Sequence, residues 1–211
     1  MPVVRHGRIK EPLASDIIWR YMCLSKFRCL LENSQLYLCR LDKFDSDSQD
    51  GAVPERNYVP NAQRTVHKIE IAITGITENG ITIENHSRKE FVPLKEYHGG
   101  ADFEESLRKE KAQDLLQRMS MFASCWHKNN TENPMFWQNY KSEPIVAIKT
   151  SVRNLLKSVY KNEEHLYLCD VEYFDEGQSI PSQNGFYQAS HKRRQFDFEK
   201  EVRLLYPFIN P

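Results

Sequence analysis

The chain has 211 residues, enough for one domain with its own core, and its 29 basic side chains balance 29 acidic ones. Zero net charge argues against a global pull on nucleic acid or an anionic membrane and leaves any polyanion binding to a local patch. With 40% hydrophobic and 27% charged residues the composition is that of an ordinary globular protein; no apolar run is long enough to span a bilayer, and the first residues lack the apolar stretch of a signal peptide.

No internal repeat or low-complexity stretch interrupts the chain. Residues 17–22, rich in β-branched and aromatic side chains, predict a strand. A helix is expected over 25–33, with Ser25 as N-cap, Phe27, Leu30 and Leu31 at helical spacing and Asn33 at its end. Residues 36–41 alternate and predict a second strand, and the polar run 45–51 predicts a solvated turn. Residues 68–75 and 80–85 read as a hairpin around Asn79-Gly80, and 102–119 as a charged helix with Leu107, Leu115 and Met119 on its apolar stripe. Then come a strand over 121–126, a short helix over 133–140, a strand over 145–150, a helix over 151–159 capped by Ser151, and a strand over 166–174. A turn-rich loop over 175–190 leads to a last strand anchored by 202–206. Strands and helices mix without regular strand–helix–strand alternation, so the expected fold class is α+β with mixed or antiparallel sheets. The chain is read as one domain over 1–211, with 60–118 as an inserted hairpin and helix. The five cysteines (Cys23, Cys29, Cys39, Cys125, Cys169), odd in number and set in or beside apolar segments, suit reduced thiols and a cytoplasmic protein.

Three segments carry residue types suited to chemistry. In the last strand, alternation puts Glu199, Glu201 and Arg203 on one face and Phe198, Val202 and Leu204 on the other, either a pair of carboxylates that raise each other's pKa or a solvated, ion-paired face. In the first, Arg20 stands between Trp19 and Tyr21. A half-buried guanidinium there suits a phosphate or ribose hydroxyl, or pairs with a carboxylate such as Glu201. In the middle strand, Ser124 and Trp126 share one face and Cys125 and His127 the other, with Trp137 and Tyr140 three apart on the next helix; aromatic rings beside a hydroxyl suit a flat heterocycle or a core. Cys125 and His127, as neighbours on one strand, lack the in-line geometry of a nucleophile and its base. No spacing supports zinc or a phosphate-binding glycine loop. The basic run His191-Lys192-Arg193-Arg194 suits phosphates or a solvated loop.

Together these segments resemble a bacterial domain-of-unknown-function family linked to abortive phage infection proteins. The resemblance runs from Trp19-Arg20-Tyr21 and Arg40-Leu41-Asp42-Lys43-Phe44, through Ser124-Cys125-Trp126-His127 and Trp137-Gln138-Asn139-Tyr140, to Glu199-Lys200-Glu201-Val202-Arg203. More distantly, the order Arg20, Ser124, Glu199-Lys200-Glu201 is similar to that of ADP-ribosyltransferases, although the middle segment here reads Ser-Cys-Trp. That resemblance implies a split β core, NAD as substrate, and catalysis by Glu201, Glu199 and Arg20. Arg20, Tyr21, Ser124, Trp126, Tyr140 and Arg193 would bind the dinucleotide, and the acceptor would be a protein or nucleic acid. The implied protein is a transferase or NAD glycohydrolase acting as a toxin or anti-phage effector, with a neutralising partner protein and no resident metal. Two other readings stand beside it. One is a non-enzymatic module binding nucleic acid or a nucleotide through Arg20, Lys192, Arg193 and the aromatics. The other is a metal-dependent nuclease built from Asp47, Asp50 and the late glutamates.

Overall fold

The computed structural model describes residues 3–4, 6–44, 47, 49–58, 71–77, 80–85, 88–93, 101–138, 144–181 and 184–208 (backbone alone for those between 71 and 104). The chain divides into two compact units, Met1–Pro54 with Gln113–Pro211, and Glu55–Ala112. The architecture is α+β, short helices on antiparallel sheet.

The first unit is built on strands β1 (Ile17–Cys23), β2 (Cys39–Arg40), β6 (Met121–Lys128), β7 (Ile145–Ser151), β8 (Tyr167–Asp170) and β11 (Glu201–Pro207). They form one sheet in the order β7-β1-β6-β11-β8, with β2 also on β6, and every pairing is antiparallel. Register fixes the faces. Trp19 pairs with His127, His127 with Glu201, and Cys125 with Arg203, so these side chains share one face with Tyr21. Ile18 and Arg20 share the other with Ser124, Trp126, Val202 and Leu204. On that second face Ile18, Trp126, Leu168, Val202 and Leu204 pack under Val152 and Leu155, from helix α4 (Val152–Ser158). On the first, Leu41, Met121, Ala123, Cys169, Ala189 and Leu205 form a smaller apolar cluster.

Helix ends follow local chemistry. The Ser151 hydroxyl accepts the Asn154 N–H at 3.3 Å, as the sequence predicts. Asn133 caps α3 (Pro134–Trp137), which has proline at its first position, and Asn184 caps α5 (Gly185–Ser190). Helix α1 (Leu24–Asn33) starts one residue before the expected Ser25 cap: its N-cap is Cys23, with no side-chain cap, and its C-cap is Ser34, in a left-handed conformation with φ 51°.

Other expectations need correction. The strand expected over 36–41 shrinks to β2 and runs on as a 3₁₀ turn, Leu41–Lys43. That expected over 166–174 breaks at Val171, where backbone N–H groups of Asp170 and Val171 bond the carbonyls of Lys10 and Glu201. Beyond the break, β9 (Glu172–Phe174) pairs in parallel with β10 (His191–Arg193). The loop expected over 175–190 contains α5, and α3 ends at Trp137. The segment expected to continue the last strand from 198 is a 3₁₀ helix, Arg194–Glu199, ended by Lys200 at φ 44°.

The second unit holds a three-stranded antiparallel sheet, β3 (Ile71–Thr77), β4 (Gly80–Asn85) and β5 (Arg88–Pro93), one strand more than the expected hairpin. Asn79 lies outside the described residues. The long helix α2 (Ala101–Met119) begins in this unit and ends in the first, where Leu115 and Leu116 are exposed and Asp114 is buried. Among the described residues no helix is long and apolar enough to cross a membrane.

Candidate functional site

Glu201 and Arg203 begin the last strand and point to the same side, two residues apart. Arg203 Nε donates to Glu201 Oε1 at 3.0 Å and Nη2 to Oε2 at 2.9 Å, the two-pronged geometry a guanidinium makes with a carboxylate. Nη2 also donates to Asp50 Oδ2 at 2.7 Å, and Nη1 to the Ala189 carbonyl at 2.9 Å. Lys192 brings a second cation. Its Nζ lies 2.7 Å from Glu199 Oε2 and 3.3 Å from both Glu201 Oε2 and Asp50 Oδ2. Arg203 is 0% exposed, Glu201 3% and Lys192 6%, so the centre of the cluster is buried. Asp47 pairs with Arg193 at 2.6 Å, and the Tyr173 hydroxyl accepts the Glu201 N–H at 2.9 Å.

The acidic loop enters because of one backbone feature. Gly51 sits at φ +70°, with Leu41 3.1 Å from where a Cβ would stand, and this tight turn tucks Asp50 under the sheet. The 45–51 run is therefore no solvated turn at Asp47 and Asp50, which are buried and ion-paired.

Burial raises the Glu201 pKa, but the charges of Arg203 and Lys192, with hydrogen bonds from Arg203 and the Cys125 thiol, outweigh it and hold the carboxyl well below the usual range. Glu199 moves the other way: burial and the Glu201 charge raise it, and Lys192 only partly opposes them. Burial likewise lowers Lys192, yet Glu201 and Asp50 carry it above its ordinary value. The Cys125 thiol is pushed well up by burial and by Glu201. The His127 pKa is lowered, chiefly by burial, and Nδ1 lies 3.2 Å from the Glu199 carbonyl. Glu199 and Glu201 thus share one ammonium with their pKa values driven in opposite directions.

An aromatic surface adjoins this pair. His127 stacks on Phe136 with centroids 3.7 Å apart, Phe136 on Tyr21 at 5.2 Å and on Phe198 at 6.4 Å, and Trp137 meets Tyr21 edge-on at 5.3 Å. The Tyr21 hydroxyl accepts the Asn133 N–H at 2.9 Å, which ties α3 to β1. Trp137 (37%) and Phe198 (42%) remain exposed at the rim.

The residues expected to form a site thus divide between two faces. Tyr21 and Glu201 lie on one, where Glu199 and Arg193 also reach the cluster. Arg20, Ser124 and Trp126 lie on the other. Arg20 therefore does not pair with Glu201; its guanidinium lies 5.7 Å from the Trp126 ring centroid and donates to the Tyr37 carbonyl at 3.0 Å. The Ser124 hydroxyl accepts the Trp126 indole N–H at 3.1 Å, and both residues are buried. Phe198, expected opposite Glu199 and Glu201, turns instead toward Phe136, because the left-handed Lys200 interrupts the alternation. Tyr140 lies outside the described residues. Among the described residues no three His, Cys, Asp or Glu side chains are grouped as a metal would require. Asp50, grouped with the late glutamates only under the nuclease reading, joins them here through Arg203 and Lys192, and Tyr173 carried no local signal.

Searches against family models, curated proteins and solved structures find no match.

Proposed function

We propose that the protein cleaves the glycosidic bond of a nucleotide, with NAD as the substrate of choice. This is the NAD glycohydrolase or ADP-ribosyltransferase reading with its site moved to the face of Glu199 and Glu201. The observation that carries it is the pairing of these two carboxyl groups on Lys192 with opposite pKa shifts, next to an aromatic rim.

Glu201 is too deeply buried to touch a substrate, and its work is to stay ionised and hold Lys192 and Arg203 in place. Glu199, at the edge of the cluster, is the proton-handling group. A carboxylate made more basic than usual is suited to take a proton from an attacking water or acceptor hydroxyl as the ribosyl centre becomes oxocarbenium-like. Phe198 and Trp137 supply flat surfaces for nicotinamide or adenine, and Arg193 supplies charge toward the pyrophosphate. The ADP-ribosyltransferase-like split core, the role as toxin or anti-phage effector, and a protein or nucleic-acid acceptor belong to the same proposal, as its wider setting.

The test is nicotinamide release from NAD by the wild type and Glu199→Gln. The proposal expects turnover that falls about 100-fold or more in the variant, the scale of a lost general base, with little change in thermal midpoint. No release by the wild type, or equal release by both, overturns it.

A further inference from the structure

The first unit contains a cavity of about 510 Å³ on the sheet face opposite Glu201, between β1, α1 and the chain that returns from Gln35 to Leu38. That volume lies within the range of pockets that enclose a small organic ligand. Two cations line it, Arg20 from β1 and Lys26 from α1, and among the described residues that line it none is acidic. Its walls are mostly apolar, with Met22, Leu30, Leu36 and Leu38. Two amide side chains, Asn33 and Gln35, add both donor and acceptor groups, and Tyr37, largely exposed, adds an aromatic ring at the mouth.

The geometry points to a binding site for a nucleoside monophosphate, separate from the carboxylate face and independent of the reaction proposed there. Arg20 is held in place by the Trp126 ring and by its bond to the Tyr37 carbonyl, so its planar fork is fixed before a ligand arrives. A phosphate placed against Arg20, half-buried on β1, and Lys26, exposed on α1, meets charge of the opposite sign. The heterocycle then lies along Leu30 and Leu36 with its edge toward the two amides, which read donors and acceptors as a purely apolar pocket cannot. The exposed Cys29 thiol is part of the same lining and reports on occupancy directly.

The experiment follows the rate of Cys29 alkylation by iodoacetamide, by peptide mass spectrometry, with and without AMP, GMP, CMP or UMP. At ten times its Kd, a bound monophosphate slows the reaction about tenfold by mass action. Adenosine and inorganic phosphate, each lacking half of the ligand, protect far less. Lys26→Met, at an exposed helix position where folding is not at stake, and Arg20→Met both weaken the protection. The inference is overturned if none of the four nucleotides slows Cys29 alkylation at millimolar concentration, or if protection persists undiminished in both variants. The readout is local to this cavity, so its failure is distinguishable from a failure of NAD cleavage on the other face.

Discussion

Arg203 and Glu201 are joined by two hydrogen bonds of 3.0 and 2.9 Å while both are excluded from water, and Asp50 completes the guanidinium's partners from 153 residues away in sequence. A buried pair of this kind adds little net stability when intact, because desolvation offsets the attraction, but removing one partner leaves an uncompensated charge. The fold is therefore most sensitive to loss of the cation. Arg203→Met is expected to destabilise the protein by roughly 3–5 kcal/mol, measured by urea unfolding. Arg203→Lys should also be costly, since an ammonium cannot reproduce the two parallel bonds to Glu201. A loss below about 1 kcal/mol for both would show that the cluster relaxes by admitting water.

The same cluster sets the pH dependence. Glu201 is depressed below its ordinary 4.5, so its contribution is fully present above pH 4.5 and is lost as pH falls below that value toward the folded one. Glu199 is raised, so its contribution is greatest below pH 4.5 and is lost as pH rises from there through the folded value. Unfolding free energies at roughly pH 3 to 7 should therefore lose their acid-side slope in Glu201→Gln. Glu199→Gln should lose the opposing slope above pH 4.5. Unchanged slopes in both variants would refute the opposite shifts.

Thiol reactivity separates the cysteines. Cys29 is exposed, whereas burial holds Cys169 at a pKa of about 12 and, with the Glu201 charge, holds that of Cys125 well above its ordinary value. Brief alkylation of the native protein should modify Cys29 well before Cys125, although Cys125 is itself only partly buried, and Cys169 only after unfolding. Rapid modification of Cys125 would reopen a nucleophilic role for it.

Two glycines test the acidic loop. Gly51 and Gly177 both have positive φ, 70° and 82°, but a Cβ at Gly51 would stand 3.1 Å from Leu41 Cδ1, while none of the described residues comes within 4 Å of one at Gly177. Gly177→Ala should cost only the left-handed strain, about 1 kcal/mol. Gly51→Ala should cost more, because Leu41 is fully buried and Asp50 must stay under the sheet. Equal thermal midpoints for the two variants would show that the loop's seat is adaptable.

By itself the sequence determined the fold class and those elements with strong local signals. The β-branched and aromatic run of β1, the serine that caps α4 and the alternation of 124–127 are local signals, so the α+β class and the separation of Ser124 and Trp126 from Cys125 and His127 were legible. It also singled out Arg20 as a half-buried cation in need of a partner, and placed Glu199, Glu201 and Arg203 on one face of the last strand. Which partners they found was a tertiary matter. Period-two alternation tells which neighbours share a face within one strand, but the pairing register alone decides which faces of different strands coincide, and it put Arg20 opposite Glu201. Local alternation also failed at Lys200, whose left-handed conformation gives no composition signal and turns Phe198 away from Val202. Asp50 looked like any polar turn residue, and became the third member of a buried charge cluster because Gly51 and Leu41 fold its loop beneath Arg203.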